Sequence, residues 1–314
     1  MTNFLYLLLG IGLLTLGGEG LIRGALAVAK RFKLSPLLSG LLIVGFGTSA
    51  PELVVSIEAA LSGQADIAVG NVVGSNIGNI LLILGLCAVI TPLTISPLGL
   101  KRDASVMLLS SVIFSLLAIN HFISVTDGVL LLCALLAYLI YTYKSEQAAQ
   151  AELHKAQSTE ITALPNSLWL SAGFLVVGLT LLIIGSKVLL IGATGLALAM
   201  GLSEGVIGLT IVAVGTSLPE LTVSVIAALR KHADVAVANI LGSNIFNMLG
   251  ILAISAILQP LPLSSRIVNY DQWILLACSL LLLLFLYTGR RIARVEGALL
   301  LTAYVGYLAF SISL

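Results

Sequence analysis

The sequence predicts an all-α membrane protein of ten transmembrane helices, laid out as two inverted five-helix repeats with broken helices 2, 3, 7 and 8. Three observations predict it. The chain is 59% hydrophobic and only 9% charged, with a mean hydropathy of +1.14, whereas a soluble surface needs about a quarter of its residues charged. One passage occurs twice: from Gly47 to Leu81 and from Gly215 to Leu249, 22 of 35 aligned positions are identical at a constant offset of 168. Finally, the basic residues between apolar runs change sides from one copy to the other, as an inverted second copy requires.

Apolar runs long enough to cross a bilayer lie near 3–29, 35–61, 67–91, 103–120, 125–143, 166–199, 203–229, 235–258, 270–288 and 295–313. The sixth is the longest and is expected to include an interfacial end. Residues 1–143 then form repeat 1, 166–314 form repeat 2, and 144–165 form a connecting loop too short to fold as a domain. No basic residue precedes Arg23, which argues against a cleaved signal peptide, so span 1 is expected to be retained. Cys87, Cys133 and Cys278 lie inside spans without metal-ligand spacing and read as packing residues. His121, His154 and His232 fall in loops or at span ends and receive no chemistry.

Loops on one side carry Lys30, Arg31, Lys33, Lys101, Arg102, Lys144, Lys155, Arg230, Lys231, Arg290, Arg291 and Arg294, while the opposite loops carry only Arg266. The positive-inside rule puts the basic side in the cytoplasm and both termini outside. The repeat tests this independently. Ala29-Lys30-Arg31-Phe32-Lys33 aligns with the uncharged Ala197-Leu198-Ala199-Met200-Gly201, and Ser62-Gly63-Gln64 aligns with the basic Arg230-Lys231-His232. A duplicated polar motif with this inversion is the mark of an alternating-access transporter.

Glu52 and Glu220 lie near the middle of spans 2 and 7, where an ionised group is tolerated mainly beside a partner, a cavity or an ion. Pro51 and Pro219 precede them and have no N–H for the carbonyls of Gly47 and Gly215. Each proline also disfavours helix at the residue before it. Spans 2 and 7 should therefore break there, turning carbonyls and the hydroxyls of Thr48, Ser49, Thr216 and Ser217 toward the carboxylates. Asn79 and Asn247, with Ser75 and Ser243 one turn earlier, add amide and hydroxyl oxygens from spans 3 and 8. Together these form the oxygen set of a hard cation such as Ca2+ or Na+. Asn71, Asn76, Asn239 and Asn244 are expected to cap broken helix ends. Gly70, Gly74, Gly78, Gly85 and Gly242 are expected to let helices approach closely.

Other buried charges read differently. Glu19 and Arg23 are four apart on span 1 and should pair along one helix face. Lys187 aligns with Glu19 across the repeats, and Glu58 is placed toward the outer end of span 2.

The motif pair Gly-Thr-Ser-X-Pro-Glu and Gly-Ser-Asn-Ile-X-Asn, present twice, resembles the alpha repeats of the sodium/calcium exchanger family, within the cation/calcium antiporter superfamily, in its short bacterial and archaeal form. The resemblance implies Glu52 and Glu220 as ligands shared by Ca2+ and Na+, with Thr48 and Thr216 completing the Ca2+ position. It implies Ser49, Ser75, Ser217 and Ser243, with carbonyls near Gly45 and Ala213, for flanking Na+ positions, and Asn79 and Asn247 lining the centre. Spans 1 and 6 would move as a pair across the core of spans 2, 3, 7 and 8. Some relatives carry Asp where this chain has Asn247, notably the potassium-dependent branch, so exchange without K+ is expected here. The large cytoplasmic calcium-sensing region of eukaryotic members is not in this chain.

The reading is thus of a Na+/Ca2+ antiporter in the cytoplasmic membrane, with no enzymatic activity. Ca2+ and Na+ are its substrates and the lipid bilayer is its surroundings, with no cofactor and no nucleic-acid partner. A Ca2+/H+ antiporter on the same fold is the nearest alternative, since a glutamate in low dielectric can carry protons. A cation channel would use similar oxygens but has no need of inverted halves. An intramembrane hydrolase finds no His-Glu-X-X-His here.

Overall fold

The computed structural model describes residues 2–32, 34, 36–94, 97–153, 167–200, 213–289 and 291–313. Helices fall on the predicted apolar runs: α1 Thr2–Phe32, α2 Gly40–Thr48, α3 Ala50–Leu61, α4 Ala65–Ile90, α5 Pro97–Ala118 and α6 Val125–Leu153. They continue as α7 Leu168–Ala199, α8 Leu218–Leu229, α9 Ala233–Leu258, α10 Ile267–Thr288 and α11 Arg294–Ser313. Among the described residues, six helices are long and apolar enough to cross a bilayer, and α2 with α3, bent by 46°, passes the same test as a pair. The chain is an integral membrane protein. The first part of the predicted connecting loop is helical, since α6 runs on to Leu153. Residues 154–165 of that loop, 166 of predicted span 6, and 203–212 of predicted span 7 lie outside the described residues.

Burial sorts the helices into layers. Along their apolar stretches α4 and α9 are 72% and 83% buried, whereas α7 is only 22% buried, so α4 and α9 form the centre and α7 lies at the periphery. The remaining helices pair across the repeat: the C-terminal half of α4 packs on α11, and that of α9 on α6. Between α5 and α10 the Ser111 and Ser279 hydroxyls meet at 3.1 Å, a pair separated by the repeat offset of 168. Four two-residue strands tie the halves together. β1 (Leu93–Thr94) pairs antiparallel with β4 (Arg291–Ile292), and β2 (Phe122–Ile123) with β3 (Leu261–Pro262).

In lipid there is no hydrophobic drive between helices, so small residues that let backbones touch become the adhesive. α1 and α7 form such a pair along their whole length. A Cβ on Gly178 would stand 2.5 Å from the Leu21 amide nitrogen. Gly10, Gly17 and Gly24 repeat every seven residues and align with Gly178, Gly185 and Gly192. This spacing was the available sequence signal for the contact.

Predicted spans 3 and 8, which are α4 and α9, are not broken, contrary to expectation. α4 and α9 contain no proline, and each accommodates its polar motif by a π-helical turn, at Asn79–Leu84 and Asn247–Ile251. One wide turn re-aims the following residues while keeping the backbone hydrogen-bonded.

Two partly buried ion-pair clusters were not anticipated. Asp103 accepts from Arg102 Nε (2.6 Å) and from the Tyr138 hydroxyl (2.9 Å). Its counterpart Asp271 accepts from Arg266 Nε (3.2 Å), while Arg266 also donates to Ser311 Oγ (2.9 Å).

Candidate functional site

The break in span 2 occurs where the prolines predict it. Ser49 leaves helical geometry at φ −78°, ψ 7°, and Ser217 at φ −88°, ψ 10°. Pro51 and Pro219 sit in the first turns of α3 and α8, where a missing N–H costs nothing. Glu52 and Glu220 follow in the same first turns, close to the positive ends of the helix dipoles.

Both glutamates are buried, each 1% exposed, and they are electrostatic neighbours. Their hydrogen bonds cross between the repeats. Ser49 donates to Glu220 Oε1 (2.9 Å), and Ser217 donates to Glu52 Oε1 (3.0 Å). The second oxygen of each carboxylate, Oε2, has no hydrogen-bond partner among the described residues. Asn79 Oδ1 and Asn247 Oδ1 are buried and unpartnered in the same way. An unpaired buried acceptor costs about 1–3 kcal/mol, more if charged. Four such oxygens, in two pairs related by the repeat offset, are acceptors that a positively charged ligand could satisfy.

The asparagine amides are held in place by residues expected to cap helix ends. Asn76 and Asn244 sit mid-helix and span the interface between α4 and α9. Asn76 Nδ2 donates to the Asn244 carbonyl (3.1 Å), and Asn244 Nδ2 to the Asn76 carbonyl (3.3 Å). Their side-chain oxygens accept from Asn247 Nδ2 and Asn79 Nδ2, both at 2.9 Å. Each ligand-side asparagine thus spends its N–H on the opposite helix and leaves its oxygen free. Asn71 and Asn239 are not caps either. Asn71 donates to the Glu52 carbonyl (3.2 Å) and Ser56 Oγ (2.9 Å), and Asn239 to the Glu220 carbonyl (3.3 Å) and Ser224 Oγ (2.9 Å). They seat each glutamate-bearing helix on its neighbour.

The remaining predicted residues divide between closed and open surroundings. The Gly45 carbonyl is not bare: it accepts from Ser243 Oγ (2.9 Å) and Thr48 Oγ1 (3.3 Å). Thr48 also bonds Asn239 Oδ1 (3.2 Å), whereas Thr216 Oγ1 is buried and makes no hydrogen bond within normal distance among the described residues. Gly242 brings α9 against α2 so closely that a Cβ would lie 2.3 Å from the Leu41 carbonyl oxygen. Phe46 and Phe246 stack over this contact with ring centroids 4.5 Å apart. Their counterparts Val214 and Gly78 instead line a cavity of about 20 Å3 together with Ser75, Ser217 and Tyr304. That is room for a single water. Ala213 begins the short helical turn Ala213–Gly215 beside it. Among the described residues no group of three His, Cys, Asp or Glu side chains converges on one point, so only two carboxylates serve the cluster, and the other oxygens are neutral.

Comparison with known proteins gives the family of the chain. The family described as sodium/calcium exchanger protein matches residues 2–144 and 170–313. A putative antiporter, CaxA of Alkalimonas amylolytica, is 37% identical over 307 residues, covering 96% of each chain. The sodium/calcium exchanger MaX1 of Methanosarcina acetivorans is 34% identical over 98% of this chain and 97% of its own. A solved structure of the sodium-calcium exchanger NCX_Mj, soaked with Na+ and Sr2+, superimposes with a TM-score of 0.83 at 35% identity and 98% coverage of both chains. This chain belongs to the sodium/calcium exchanger family.

Proposed function

We propose that this protein is a secondary antiporter that exchanges Na+ for Ca2+ by alternating access, with both ions bound as substrates between the two repeats. The observation that carries the reading is the set of buried, unpartnered oxygens on Glu52, Glu220, Asn79 and Asn247. Two carboxylates supply about two negative charges, which one Ca2+ or two Na+ neutralise in turn. Binding either load removes the repulsion between Glu52 and Glu220 that an empty, fully ionised site would suffer. Thr48 and Thr216 complete the Ca2+ position in this reading. Ser49, Ser75, Ser217 and Ser243, with the carbonyls of Gly45 and Ala213, serve Na+.

The same reading gives the chain ten spans in two inverted halves, 1–143 and 166–314, joined by a cytoplasmic connection. Both ends of the chain lie outside the cytoplasmic membrane. The crossed hydrogen bonds at the offset of 168 and the swap of basic residues between repeats support it. The crowded Phe46–Phe246 side and the small cavity at Val214 and Gly78 supply the unequal halves that alternating access requires.

Purified protein in sealed vesicles tests the function. Ca2+ uptake should follow an outward Na+ gradient and cease when the gradient is removed. Uptake driven equally well by a proton gradient without Na+ would assign the site to Ca2+/H+ exchange. Uptake that needs no gradient of any counter-ion would make it a channel.

A further inference from the structure

Four of the charged side chains outside the oxygen cluster lie on or beside α1, α7, α3 and α8: Glu19 on α1, Lys187 on α7, Glu58 on α3 and Arg230 directly after α8. Glu19 pairs with Arg23 along its own helix at 2.6 Å, and it also crosses to Arg230, whose Nη2 donates to Glu19 Oε2. The second pair joins the α1–α7 unit to the core. The same approach lays Gly18 on α8, where a Cβ would stand 2.7 Å from Ile226 Cδ1. The equivalent contact, α7 on α3, is slight. Lys187 and Glu58 are exposed, and neither forms an ion pair among the described residues.

The repeat offset gives this asymmetry a meaning. When the two halves exchange conformations, α7 comes to lie on α3 as α1 now lies on α8. Ser186 takes the place of Gly18, and Glu58 that of Ile226, so the two meet. Lys187 takes the place of Glu19 beside them, and Ser62, one turn past Glu58, that of Arg230. The acid on the moving helix becomes a base, and the core offers an acid, Glu58, one turn before the position of Arg230, so an attraction of reversed sign is available. The Ser186 hydroxyl, buried and unpartnered among the described residues, gains a carboxylate acceptor.

We propose that Glu19–Arg230 is an ion-pair latch that holds one access state of the transporter, and that Lys187–Glu58 is the latch of the opposite state. The proposal rests on the alternating-access reading above. It makes these four residues determinants of the balance between inward- and outward-facing populations.

Spin labels at Leu16→Cys on α1 and Leu229→Cys on α8, both sites well exposed, read that balance as a distribution of distances in a background with Cys87, Cys133 and Cys278 replaced. Two distances are expected. Since an exposed ion pair is worth at most about 1 kcal/mol, Glu19→Gln should deplete the α1-on-α8 population roughly two- to fivefold relative to the other. Lys187→Gln should enrich it by a similar factor. Glu58→Gln should match Lys187→Gln, and combining the two should add nothing further, as for partners in one interaction. If a Glu19 variant fails to fold, Arg230→Gln reads the same latch. Two distances whose populations ignore these substitutions, or shift in one direction for both pairs, overturn the latch alone. A single distance under every Na+ and Ca2+ condition overturns both the latch and the alternating-access reading.

Discussion

A carboxylate buried as deeply as Glu52 needs a partner for each of its oxygens, and among the described residues only Oε1 has one. The same holds for Glu220. Replacing either with Gln keeps the shape and the serine hydrogen bond but removes one of two charges. We expect Glu52→Gln or Glu220→Gln to weaken Ca2+ half-saturation by the worth of a charged contact, about 2–3 kcal/mol or roughly 30- to 150-fold, with membrane insertion unchanged. Near-normal Na+-driven Ca2+ flux in either variant would remove these residues from the site. Asn247 sets a second expectation. Neutral amides at 79 and 247 leave about two fixed negative charges, which Ca2+ alone balances, so K+ beside it would be an uncompensated buried cation. Replacing K+ by choline should leave wild-type flux intact. Asn247→Asp should make exchange more dependent on pH, because a third carboxylate must take a proton or another cation. Loss of most wild-type activity without K+ would contradict the role given to Asn247.

At the scale of elements, proline was the readable signal. Pro51 fixed the bend before α3, and the matching Ser217 turn precedes Pro219. The π-helical turns in α4 and α9 were not legible, because no residue type demands them: Asn79 and Asn247 follow Gly-Ser-Asn-Ile in sequences that a regular helix would also accept. The tasks of Asn76 and Asn244 were hidden for a related reason. Whether a mid-membrane asparagine bonds its own backbone or a facing helix depends on which helix faces it, and that is a property of packing. The stacked pair Phe46–Phe246 carries a prediction of its own. Val214 and Gly78, at the corresponding positions of the other half, border a cavity, so the two rings are the extra material that closes the first side. Phe246→Ala should open that side and raise Ca2+ leak in the absence of a Na+ gradient. Its cost in stability should fall below the about 3–5 kcal/mol of a fully buried phenylalanine, since Phe246 is half-buried. A variant with wild-type leak and wild-type coupling would show that the rings do not close a path.

At the scale of the whole molecule, the inverted arrangement predicts opposite sides for equivalent loops. A cysteine replacing Gln64 should react with an impermeant thiol reagent in sealed cells, and one replacing His232 only after permeabilisation. Equal labelling of both would defeat the inversion. The two-residue strands bear on a different property, the making of the protein. β1 finds its partner β4 almost two hundred residues downstream, and Asn76 waits for Asn244 at a separation of 168. At about 5–20 residues per second of synthesis, that separation is roughly 10–30 s during which Glu52 and the α4 amides are made but unmatched. During that interval the polar groups of the first half lack the partners that the second half supplies. Their exposure ends only when the second half arrives.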